Sequence, residues 1–269
     1  MKIALGVEYN GAAFHGWQAQ QPGVRTVQGE LQAALSKVAN HPVKVTCAGR
    51  TDTGVHALGQ VVHFESEAQR GERNWLLGCN VNLPDDVAVT WVKPVADDFD
   101  ARFSARSRRY RYFILNRPAR SAVLAGRVTW SHYPLDAQRM HSAAQDLLGE
   151  HDFSSYRAVA CQAHSPVRTL HRLAVKRIDD FVVLELHANA FLHHMVRNIA
   201  GVLMAIGQGE QPISWAKTVL EHRDRTKGGV TAPPQGLYFE QVEYPANFQI
   251  PTPTLSGFPT NSAMYAKIT

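Results

Sequence analysis

The strongest constraint in this chain is a turn. Gly49-Arg50-Thr51-Asp52-Thr53-Gly54 separates two apolar runs, Val43 to Cys47 and Gln60 to Phe64. Short apolar runs of this kind predict strands, so the turn must display the Asp52 carboxylate on a glycine-bounded connection between them. A carboxylate presented there is well placed to act on a ligand and is a poor packing residue. The structural alternative is an Asx-turn in which the carboxylate caps its own loop. If Asp52 is a nucleophile or a base, the rest of the chain should supply a partner cation, a platform for a ligand and a reason for binding it.

The segments around the turn alternate in type. Ile3 to Tyr9 predicts a strand, and Val27, Leu31, Ala34, Leu35 and Val38 follow helical spacing behind Thr26 as N-cap. Arg73 to Cys79 predicts a short helix and Val87 to Val92 another strand. The order β-α-β-β-α-β is that of a ferredoxin-like unit. The second half repeats the grammar loosely. It has a strand at Arg109 to Leu115, a helix from Leu135 to Leu148 ended by Gly149, and a hairpin around Asp179-Asp180. A long helix from Phe191 to Ile206 and a last strand at Leu237 to Val242 follow. The fold class expected is α+β, in two halves with mainly antiparallel sheets. The expected division is 1–105, 106–245 and an extended tail at 246–269.

Composition narrows the partners. The chain has 269 residues and 45% apolar content, enough for a sizeable core. Cys47, Cys79 and Cys161 are odd in number and include no C-x-x-C pair, which argues against a disulfide framework and fits a reducing cytoplasm. No run approaches a membrane span of about 20 apolar residues, and the N-terminus does not resemble a signal peptide. There are 20 Arg against 8 Lys, and no Asp or Glu occurs between Ala101 and Leu135, a window holding eight arginines. Uncompensated charge of this density predicts a polyanionic partner, and arginine suits phosphate because its planar fork donates bidentately. Arg102, Arg106, Arg108 and Arg111 are the candidates for contact with a phosphate backbone.

Two further residues answer the needs of Asp52. On the predicted Phe191–Ile206 helix, Arg197 falls opposite the apolar stripe, where it could reach a carboxylate across the fold; a plain surface arginine is the alternative. Tyr110, flanked by Arg109 and Arg111, suits a nucleotide site in which a ring stacks on a base, although ordinary strand alternation would also place a tyrosine there. His187, His193 and His194 suggest a metal, but adjacent histidines on a helix project about 100° apart with no carboxylate or cysteine at i+4. No metal is therefore expected.

These residues resemble a known family, the tRNA pseudouridine synthase A family. The resemblance rests on Gly49-Arg50-Thr51-Asp52-Thr53-Gly54-Val55-His56-Ala57, on Phe14-His15-Gly16-Trp17-Gln18 and on Asn80-Val81-Asn82-Leu83-Pro84. Arg109-Tyr110-Arg111-Tyr112, Phe191-Leu192-His193-His194-Met195-Val196-Arg197-Asn198 and Gln235-Gly236-Leu237-Tyr238-Phe239 continue it to the end of the chain. It implies a pseudouridine synthase fold, two ferredoxin-like halves flanking a central RNA-binding cleft. It implies that Asp52 is the catalytic aspartate, that Arg197 pairs with it and that Tyr110 stacks on a flipped uracil. Arg50 would help extrude the base, and Leu237 would pack beside the pocket. The substrate implied is uridine at tRNA positions 38, 39 and 40, handled by a homodimer without cofactor or metal. Thr53 and His193 stand where alanine and tyrosine are common, and neither change removes a group the chemistry uses. A basic RNA-binding module without catalysis and an aspartate-nucleophile glycoside or nucleoside hydrolase are the alternatives from other classes.

Overall fold

The structure, a computed structural model, describes residues 1–253. Residues 254–269, most of the expected tail, lie outside the described residues.

The first half contains β1 (Lys2–Tyr9), α1 (Val27–Ala39), β2 (Thr46–Cys47), β3 (His56–Glu65), α2 (Glu72–Asn82) and β4 (Val87–Pro94). This is the β-α-β-β-α-β order expected. α1 begins where the Thr26 hydroxyl accepts from the Gly29 N–H at 3.2 Å, a cap worth about 1 kcal/mol. It buries Val27, Leu31, Ala34 and Leu35 and ends at Asn40, whose φ of 59° is left-handed. The strand expected at Val43–Cys47 shrinks to two residues. α1 side chains take its backbone donors instead: Val43 N–H bonds to Ser36 Oγ at 2.9 Å and Val45 N–H to Gln32 Oε1 at 3.1 Å.

The second half contains β5 (Ser107–Asn116), β6 (Thr129–Ser131), α3 (Ala137–Gln145), β7 (Gly149–Asp152), β8 (Val167–Ile178), β9 (Phe181–Ala188), α4 (Met195–Gly207), α5 (Trp215–His222) and β10 (Leu237–Glu243). β6, β7 and α5 are not among the expected elements; β6 and β7 are too short to show a period, whereas α5 does carry one in Trp215, Ala216, Val219 and Leu220. β7, Gly-Glu-His-Asp, has no apolar residue at all.

The ten described strands form one sheet in the path β4-β1-β3-β10-β5-β9-β8-β7, with β2 and β6 branching from it. β10 is the splice. It pairs parallel with β3 (Tyr238↔His56, Phe239↔Ala57) and antiparallel with β5 (Leu237↔Tyr112). The last strand therefore joins the sheet of the first half to that of the second, and the two loosely similar halves share one hydrogen-bonded layer. Separate cores flank it. One packs α1 and α2 residues such as Leu31, Leu35 and Trp75 on β1 and β3. The other packs α3, α4 and α5 residues such as Met140, Ile199 and Val219 on β5, β8 and β9. The fold is α+β with one mainly antiparallel sheet, the class expected from the sequence. Among the described residues no helix is long and apolar enough to cross a membrane.

Candidate active site

The Asp52 turn lies at the splice, and its backbone is tied on every side. Trp17 N–H donates to Thr51 O at 3.0 Å, Gly54 N–H to Phe14 O at 3.3 Å and Val55 N–H to Asp52 O at 3.1 Å. The Thr51 hydroxyl meets the buried Tyr9 hydroxyl at 2.8 Å. Gln60 clamps the near end of the turn, with Nε2 donating to Gly49 O at 2.6 Å. Gly54 has φ +77°, a conformation that favours glycine. Gly16 has φ +86°, and a Cβ there would sit 2.8 Å from Thr51 O. Asp52 is thus presented on an over-determined support, not on a free loop.

Its carboxylate faces three cationic or donor groups from the other half. Arg197 Nη1 lies 3.3 Å from Oδ2. His194 Nε2 lies 3.3 Å from the same oxygen, and His193 Nε2 is 3.2 Å from Oδ1. Arg197 is aimed by its own second bond, Nε to Ala232 O at 2.9 Å, while Ala232 N–H returns to Arg197 O at 3.1 Å. Among the described residues the carboxylate is met by Arg197, His193 and His194, and not by a backbone N–H of its own turn, as the Asx-turn alternative requires. Cys47, near the turn, is no rival nucleophile, because burial pushes its thiol up to about 12.

Above the carboxylate opens a cleft of about 1070 Å³, larger than the roughly 300–1,000 Å³ of small-molecule sites. Tyr110 lies in its wall with Leu237 and Val55. The Tyr110 ring is wedged between Phe191 at 4.9 Å and Phe239 at 4.8 Å. Burial raises its hydroxyl well above the ordinary tyrosine value, so it stays a neutral phenol. Arg50 is exposed at the cleft.

The four backbone-contact candidates divide. Arg102 and Arg108 line the cleft; Arg106 and Arg111 do not. Strand alternation explains this for β5, whose even residues share a face with Tyr110 and whose odd residues point to the other. Arg111 pairs with buried Glu240 at 2.9 Å, and Arg109 with Glu243 at 2.6 Å. The arginine window that has no acid in sequence therefore acquires carboxylates from β10 in space. Among the described residues Arg108 is held by carbonyls, Ala105 O, Asn189 O, Ala48 O and Arg102 O.

The histidine pair departs from the helical expectation, in which His193 and His194 diverge. α4 begins only at Met195, and His194 precedes it in the left-handed region at φ 62°. That turn lets both imidazoles approach one carboxylate, with ring centroids 4.1 Å apart. His193 O is anchored by the Ala158 N–H at 2.8 Å. Burial lowers the His194 pKa below the usual value, against the pull of Asp52. His187 lies elsewhere, 3.4 Å from Glu243. Also unforeseen is the 160–165 segment, including Cys161 and His164, which with Arg168 forms one wall of the cleft.

The sequence matches the family model described as tRNA pseudouridine synthase over residues 6–104 and 143–245, more than half of the chain. It is 60% identical over 250 residues to tRNA pseudouridine synthase A of Alcanivorax borkumensis, covering 93% of this chain and 94% of that protein. It is 58% identical to the protein of the same name from Pseudomonas aeruginosa, with 93% and 88% covered. The Coxiella burnetii protein of that name is 54% identical over 257 residues, with 96% and 98% covered. Asp52 and Arg197 fall in the matched segments, and Tyr110 falls between them.

Proposed function

The chain belongs to the tRNA pseudouridine synthase family, and from that premise we propose that it isomerises uridines 38, 39 and 40 of the anticodon stem-loop with Asp52 as nucleophile. Membership makes it an isomerase of tRNA uridine; the positions and the roles of single residues are the proposal. The observation that carries it is one carboxylate at the base of an arginine-lined cleft, contacted by Arg197 and overlooked by the Tyr110 ring.

The overall change breaks the C1′–N1 bond, forms C1′–C5, releases the C5 proton to solvent and returns a proton to N1. A retained uracil is essential, so the pocket must hold the detached base while it turns. Tyr110 is the stacking surface for that base, with Leu237 closing the apolar side. Extrusion of the uridine costs a few kcal/mol, least at a loop or weak stem end, and Arg50 takes the place it vacates. Arg197 fixes the carboxylate and balances its charge. Routes through C1′, C6 or a glycal all need these placements. Arg102 and Arg108 face the cleft and track phosphates; Arg111 is retained by Glu240. In this reading residues 1–105 supply the nucleophile and 106–245 supply Tyr110 and Arg197, so a uridine is processed only where the halves meet. The enzyme works in the cytoplasm as a homodimer across which one tRNA lies, and its chemistry uses no cofactor.

Tritium release from tRNA labelled at uridine C5 tests the proposal. Asp52→Ala should lower release more than about a thousandfold while tRNA affinity stays within a few-fold. Undiminished release would overturn Asp52 as nucleophile. Free uracil would indicate a hydrolase, and binding without release a passive RNA module. Mapping the product to positions other than 38 to 40 would reject the site assignment alone.

A further inference from the structure

We propose that Asp52, His193 and His194 form a binding site for zinc, a regulatory cation that shuts the enzyme by occupying its carboxylate. One ligand atom from each of the three lies within 4.8 Å of the others. Imidazole and carboxylate are the ligand types zinc takes, at about 2.0–2.2 Å, and a tetrahedron with such bonds has edges of about 3.3–3.5 Å. His193 Nε2 lies 3.2 Å from Oδ1 and His194 Nε2 lies 3.3 Å from Oδ2, so the two rings approach the carboxylate through different oxygens. Zinc held by both rings and one carboxylate oxygen draws one ring toward the oxygen that the other already faces, a contraction from the 4.8 Å within which the three ligand atoms lie. The fourth position opens on the cleft, where a water completes the shell.

The backbone supports this arrangement. A non-glycine residue at φ 62°, here His194, is strained and persists where surrounding structure enforces it. Without that turn the second imidazole would leave the carboxylate. When zinc is bound, each ring coordinates through the lone pair of Nε2 and carries its proton at Nδ1. The step needs no redox partner. Magnesium is a poor fit, since it demands octahedral oxygen ligation and dehydrates reluctantly.

Arg197 sets the character of the site. Its guanidinium sits 3.3 Å from Oδ2 and is tied to Ala232 O, so it repels any cation bound there. Zinc is therefore exchangeable and inhibitory, not resident. It also competes with the flipped uridine for Asp52. That inhibitory consequence rests on the proposed role of Asp52; binding itself does not.

Equilibrium dialysis of untagged protein against zinc chloride is the direct test, paired with tritium release at the same free zinc. One zinc should bind per chain. His194→Asn, chosen because asparagine tolerates the left-handed backbone, should weaken binding at least about tenfold, since even outer-sphere partners are worth about 10–100-fold. Asp52→Asn should do the same, while Cys161→Ser should leave zinc binding unchanged. Zinc should depress tritium release by wild-type protein, a chelator should restore it, and equal magnesium should do nothing. No saturable binding, binding retained in both ligand variants, or binding lost in Cys161→Ser would each overturn the site. Saturated zinc with undiminished tritium release would keep the site and reject Asp52 as nucleophile.

Discussion

The two faces of strand β5 carry the same residue type and treat it in opposite ways. Arg109 and Arg111 on the back face each meet a β10 carboxylate, Glu243 at 2.6 Å and Glu240 at 2.9 Å. Arg108, one residue before Arg109 and three before Arg111, faces the cleft and, among the described residues, is bonded to backbone carbonyls. Glu240 is buried and its pKa is raised by that burial, with Arg111 pulling it back down. One face is thus neutralised structure. The other retains positive charge beside Tyr110, where a polyanion can use it.

Separating the faces by mutation gives the largest expected effect on the back. Arg111→Met strands a buried carboxyl and should cost about 3 kcal/mol of stability in urea unfolding, with tRNA affinity changed less than about threefold. Adding Glu240→Leu should recover most of the loss, because a well-packed apolar pair replaces a buried ion pair at little cost. A large loss of tRNA affinity in stably folded Arg111→Met would break the comparison.

A second back-face effect comes from His56, which is buried against Tyr238 with ring centroids 4.6 Å apart and accepts from Gly11 N–H at Nδ1. Burial lowers its pKa from 6.5 to about 4. The unfolded chain therefore binds a proton that the folded one refuses, and stability falls as pH drops from the unfolded value toward the folded one. Between pH 7 and pH 5 the loss from this residue should be about 2 kcal/mol. His56→Gln should flatten that part of the stability profile, and an unchanged slope would show that the ring is not protected.

The smallest effect belongs to the cleft face. Arg102→Ala should reduce tRNA affinity a few-fold and the slope of log affinity against log salt by about 1, with unfolding unchanged. An unaltered salt slope would remove Arg102 from the RNA surface.

Local pattern made much of this legible. Thr26 and the 3.6-residue spacing behind it specify α1, and the glycine-bounded run specifies the turn that displays Asp52. Those signals are short-range, carried by capping, periodicity and backbone permissiveness. The His193–His194 pair departs from local pattern for the complementary reason. The helical spacing runs from Phe191 but α4 starts four residues later, and the left-handed turn at His194, next to a His193 carbonyl held by the Ala158 N–H, brings both rings to Asp52.

The sequence by itself determined which residue types could do chemistry, the order of the elements and, through the resemblance of its motifs, the family. Tertiary structure alone decided which charges are spent and which are free. That outcome depends on β10 entering between β3 and β5, a pairing of residues more than a hundred positions apart. It brings carboxylates to one face of β5 and completes the cleft on the other. Long-range pairing leaves no periodic trace in a single chain, so eight arginines without a neighbouring acid looked alike until the sheet sorted them.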